Sequence, residues 1–184
     1  MSVDGYCPLI TEPAANQPRS RLLADAVFGV GGGIASTVYG TIVVMATLTV
    51  AYTTEKELWR LAAVVAGTAL VLWIAHLYAH GLSESIEKRR RLSRAEGLAI
   101  ARRELGVLLA AVGPTIALAL GAVGLLDLSN AVWLALAVGL VTLAVEGVRY
   151  ARLEGFGSAG TVAAVTVNLA LGSMVVALKV AIAH

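Results

Sequence analysis

Five uninterrupted apolar runs, each about long enough to cross a bilayer and each bounded by charge, constrain this chain more than any other feature. They cover residues 26–52, 58–81, 106–126, 131–148 and 161–182. A hydrocarbon core about 30 Å thick takes about 20 residues of helix. The runs are continuous rather than alternating, so they read as helices, whose backbone groups find partners internally where no water is present. The expected fold is all-α: an integral membrane bundle of five transmembrane helices over residues 25–184, preceded by a flexible tail over residues 1–24. Composition agrees, because 58% of the 184 residues are hydrophobic and 14% charged, whereas a soluble domain has about 25% charged residues to build its solvated shell. The only cysteine, Cys7, excludes an intrachain disulfide.

Orientation follows from the short connections, since lysine and arginine resist translocation. Arg19, Arg21, the seven basic residues within 88–103, Arg149 and Arg152 fall on one side, eleven in all, against Lys56, Arg60 and Lys179 on the other. The N-terminus is thus expected in the cytoplasm and the C-terminus outside, in a cell (inner) membrane. Trp59 and Trp133 then lie at the outer interface, where amphipathic rings are favoured. The basic segment at 83–105 reads as a short cytoplasmic helical stretch drawn to anionic inner-leaflet lipid. It lacks the interleaved aromatic residues of a nucleic-acid surface, so no nucleic acid is expected as a partner.

Small residues recur every four positions. Gly29, Gly33 and Thr37 form such a stripe in the first run, Gly113, Ala117 and Gly121 in the third, and Ala164, Asn168 and Gly172 in the fifth. Stripes of this kind let helices pack closely in lipid. Pro114 interrupts the third run and is expected to bend it.

The polar residues that could carry chemistry gather at the inner end of the second run. His76, His80 and Glu84 share a helical face by their spacing of four, with Tyr78 between the histidines. Two imidazoles and a carboxylate suit a divalent metal ion (iron, manganese or zinc) or a proton relay. Neutral imidazole binds metal and imidazolium does not, so affinity should fall on acidification. His76 lies 17 residues beyond Trp59, about 25 Å along a helix at 1.5 Å per residue. That depth equally suits plain interfacial side chains. No embedded acid pair, zinc motif, phosphate loop or nucleophile elbow appears, and no enzyme is expected.

Within the first run, Asp25-Ala26-Val27-Phe28-Gly29-Val30-Gly31-Gly32-Gly33-Ile34-Ala35-Ser36-Thr37 resembles the opening helix of the vacuolar iron transporter family, which reads V-F-G-x-N-D-G-L-V-S-T there. The resemblance implies five spans in the same orientation, a homodimer, and a divalent-cation route between the first and second spans. Gly33, Ser36 and Thr37 carry over from the first motif and Tyr78 from the second. The family's Asn-Asp pair falls on Gly31 and Gly32, and its second-span Glu on Leu77. The long Glu-rich cytoplasmic domain gives way to the short basic segment. Two functions are therefore expected as alternatives: an ion or divalent-metal transporter of this type using His76, His80 and Glu84, or a non-transporting membrane scaffold or accessory subunit.

Overall fold

A computed structural model describes residues 32–183, with side chains over 33–181. The tail, Asp25 and Gly29 lie outside the described residues. Among the described residues six helices follow one another: α1 Gly32–Thr54, α2 Leu58–Glu87, α3 Arg94–Arg103, α4 Leu105–Ala122, α5 Leu128–Leu153 and α6 Ser158–Ala183. Among the described residues there is no strand. Five helices, with α3 and α4 taken as one, are long and apolar enough to cross a membrane.

Helix ends and run ends differ because hydropathy and hydrogen bonding are set by different residues: α2 and α5 extend past their apolar runs, whereas α4 stops at Ala122, short of residue 126. At the start of α5 the Asp127 side chain accepts from the backbone N–H of Asn130, which caps the helix ahead of its first apolar residues. At its end Gly155 adopts φ 68°, and the Phe156 N–H reaches back to the Ala151 carbonyl at 2.9 Å. Only glycine takes that left-handed turn without strain. Between α2 and α3, Ser93 and Glu96 form a capping box, and the Glu96 carboxylate also receives Arg90 at 2.7 Å and Lys88 at 2.8 Å. That carboxylate, followed by Glu84, holds the Lys88 ammonium above its ordinary pKa.

Packing is organised around α1. The helices α2, α4, α5 and α6 form an arc in which each touches the next, and α1 packs against all four. A hydrophobic centre of Val44, Met45 and Leu48 from α1 meets Leu61, Leu118, Leu136 and Leu143, all essentially fully buried. Small residues permit this closeness. A Cβ on Gly113 would stand 2.5 Å from Val138 Cγ1, one on Gly121 2.7 Å from Ala131 Cβ, and one on Gly172 2.6 Å from Leu143 Cδ1. Helix α4 runs through Pro114 without ending, although the ring removes one backbone donor there.

The connections sort the polar residues by end. The α2–α3 turn and the α5–α6 turn share one end of the bundle, here the basic end. The α1–α2 and α4–α5 turns share the other, the far end, with Trp59, Trp133 and Lys179.

Candidate functional site

The basic end holds a buried acid that the sequence pattern conceals. Glu104 sits between the last residue of α3 and the first of α4 with φ −87° and ψ 0°, a one-residue irregularity at which the chain stays hydrogen-bonded: the Glu104 N–H donates to the Ile100 carbonyl at 3.0 Å and its carbonyl accepts from the Val107 N–H at 3.1 Å. Glu104 is 3% exposed. Its Oε2 accepts a hydrogen bond from Ser36 Oγ of α1 at 2.7 Å.

Gly106 makes that contact sterically possible. A Cβ at this position would lie 2.6 Å from Thr37 Oγ1 and 2.7 Å from the Gly33 carbonyl oxygen, below any real side-chain contact. The first turn of α4 therefore presses directly on the α1 backbone and carries Glu104 to Ser36. Thr37 itself spends its hydroxyl on the Gly33 carbonyl at 2.7 Å, a back-bond within its own helix.

Helix α2 supplies the opposite wall. His76 Nδ1 lies 3.0 Å from the Leu72 carbonyl and His80 Nδ1 3.1 Å from the His76 carbonyl. A carbonyl oxygen only accepts, so each Nδ1 carries a hydrogen and each Nε2 is left for another partner. The two imidazoles are 6.1 Å apart, and the Tyr39 ring stands 5.2 Å from that of His76. His80 Nδ1 is also 3.6 Å from Glu104 Oε1. Trp73 of α2 donates to the Ala101 carbonyl of α3 at 3.3 Å, which fixes the two walls. Ser36, Tyr39, His76, His80, Arg103 and Glu104 line a cavity of about 300 Å³.

The residues singled out from sequence separate here. Ser36, His76 and His80 come together around the cavity. Glu84 turns instead to Lys88 at 3.4 Å, and Tyr78 points outward, 72% exposed. Among the described residues no three His, Cys, Asp or Glu side chains converge to hold a metal ion. A cation entering the cavity would meet the Glu104 carboxylate, the Ser36 hydroxyl and the imidazoles beside the Arg103 guanidinium, too few convergent donors to replace its water shell. Glu104 was missed by sequence reading; the available signal was an acid placed directly before an apolar run, with glycine two residues on.

No protein-family model matches the chain, and neither curated proteins nor solved structures give a match.

Proposed function

We propose that the protein is a small multi-pass membrane protein of the ion-transporter type, with Ser36, His76, His80 and Glu104 as the cation-binding site at its cytoplasmic end. One observation carries this reading: a carboxylate buried at the junction of α3 and α4 and lining a cavity with two imidazoles. An acid in such a place is expensive to keep unless it serves a ligand. The gathering of basic side chains at this end supports an orientation with the N-terminus in the cytoplasm. A divalent cation such as iron, manganese or zinc is the proposed cargo. Glu84 stands at the lip of the site, one helical turn beyond His80. The sequence of the first helix, together with the exposed Ala35, Tyr39 and Val50 on the open face of α1, supports a vacuolar-iron-transporter-like homodimer.

A second reading has its own support. The middle of the bundle is packed solid around Met45 and Leu143, as a non-transporting scaffold or accessory subunit would be. The deciding experiment measures zinc, manganese and iron binding and flux with purified protein in liposomes. Wild type is compared with Glu104→Gln and with the His76→Ala, His80→Ala double variant. The transport reading expects at least about a tenfold loss of affinity in each, about 1.4 kcal/mol. Equal behaviour of all three proteins removes the site from function, and no response in wild type moves the assignment to the scaffold.

A further inference from the structure

The far end of the bundle buries a charge opposite in sign to Glu104. Lys179 lies one turn before the end of α6 and is 6% exposed. Among the described residues no carboxylate lies within ion-pair reach of it. Its Nζ stands 3.8 Å from the centroid of the Trp133 ring on α5 and 5.1 Å from that of the Tyr52 ring on α1. Aromatic faces attract ammonium through their quadrupoles. Two rings from different helices around one ammonium form a cage of the kind that recognises free alkylammonium ions.

A lysine at a membrane interface ordinarily snorkels its head into water. Lys56 does so nearby: its exposed Nζ lies 4.7 Å from the centroid of the same Tyr52 ring and donates to the Tyr52 carbonyl at 3.0 Å, so Tyr52 is shared between the two lysines and Trp133 is the wall that belongs to Lys179 alone. Lys179 instead directs its head inward and joins the three helices α1, α5 and α6 at one point. One turn before Tyr52 on α1 is Thr49, 1% exposed and with its hydroxyl lacking a hydrogen-bond partner among the described residues. A buried polar group left unpartnered calls for an explanation, and a water-accessible state of this end, shut while Lys179 occupies the rings, would supply one.

We propose that Tyr52 and Trp133 form an ammonium-binding site at the far end of the bundle, occupied by the chain's own Lys179 as a tethered ligand that keeps this end closed. The class of free ligand that would compete for the cage is a primary alkylammonium. The inference is independent of what the basic end binds.

The test uses the full chain with Cys7→Ser and Thr49→Cys, reconstituted in vesicles. A membrane-impermeant thiol reagent is added on the side from which Ser129→Cys is labelled. With Lys179 in place Cys labelling at position 49 should be slow. Lys179→Ala should speed it at least about tenfold, and millimolar ethylammonium chloride should slow it again, beyond any effect of equal sodium chloride. Lys179→Arg, which keeps a cation, should stay slow. Trp133→Leu keeps the lysine but removes one wall, and it should speed labelling even if Lys179→Ala fails to fold. Unchanged labelling in Lys179→Ala, or in Trp133→Leu where only that variant folds, overturns the proposal. So does faster labelling in Lys179→Ala that ethylammonium slows no more than sodium does, because Lys179 would then be only a space-filling plug.

Discussion

The two ends of the bundle bury opposite charges and treat them differently. At the basic end Glu104 accepts a hydrogen bond from Ser36 Oγ at 2.7 Å, with His80 Nδ1 3.6 Å away, beside a cavity of about 300 Å³. At the far end Lys179 is met only by the faces of Trp133 and Tyr52 among the described residues. A hydroxyl donor can give way to a ligand or to water, so the site proposed at the acid can fill and empty. Aromatic faces donate nothing in exchange, and on the proposal above the ammonium they hold is displaced only by another ammonium. Both charges lean on α1, which packs against every other long helix. The contrast is between a polar site open to occupation and a polar group used as closure.

The largest effect that could break this comparison comes from Gly106→Leu. Its side chain would meet the α1 backbone at Gly33 and Thr37, where nothing flexible can give way. Overpacking costs about 1–3 kcal/mol where neighbours can adjust, and here a loss of about 3 kcal/mol is expected. Folding yield and thermal stability in detergent should fall sharply, and the Ser36–Glu104 contact should be lost. A protein unchanged in both would show that Glu104 is not delivered by this close approach.

Removing the charges themselves should change stability in opposite directions. Glu104→Leu removes the Ser36–Glu104 hydrogen bond, and a hydrogen bond to a charged group contributes about 1.5–3 kcal/mol. Lys179→Met keeps the length of the side chain and ends the desolvation of an ammonium. Only the ring contacts are lost, worth about 2 kcal/mol when desolvated, against a burial cost of several kcal/mol. The expected net gain is about 1 kcal/mol. Thermal unfolding of the two variants beside wild type is the measurement. Shifts of the same sign would abolish the distinction between a site and a closure.

Much of the architecture was legible in the apolar runs, because spanning length and charge at the boundaries are properties of local sequence. Helix ends were not, since Asp127, Ser93 and Gly155 set them by capping rather than by hydropathy. The site was legible by half. Spacing of four put His76 and His80 on one face, and they do line the cavity. The same spacing promoted Glu84, but the next residue along that face is Lys88, which takes its carboxylate. Periodicity assigns a face and leaves the partner across it open. Glu104 stood beside Arg102 and Arg103 in what read as a basic surface segment. Its inward place depends on the close approach of Gly106 to α1 and on Ser36 across that contact, which no local pattern shows. Lys179 counted as one charge in a topology ledger, while its burial depends on Trp133 and Tyr52 from two other helices.

The smallest expected effect sharpens how the basic end is held in place. Arg89, in the turn between α2 and α3, has φ 47°, a left-handed conformation costing about 1–2 kcal/mol for a residue with a Cβ. Its neighbours fix it there: Lys88 and Arg90 both reach Glu96, and Glu96 closes the capping box that starts α3. The strain is thus carried by the turn that positions the helix leading to Glu104. Arg89→Gly relieves the strain but gives the unfolded chain more freedom, so the net gain should be about 0.5 kcal/mol. Because the Glu96 network is left intact, amide exchange through α3 should slow slightly and cation binding at Glu104 should not change. A loss of stability would mean that Arg89 contributes more through its side chain than its backbone costs. A change in binding would show that the geometry of this turn is transmitted to the site.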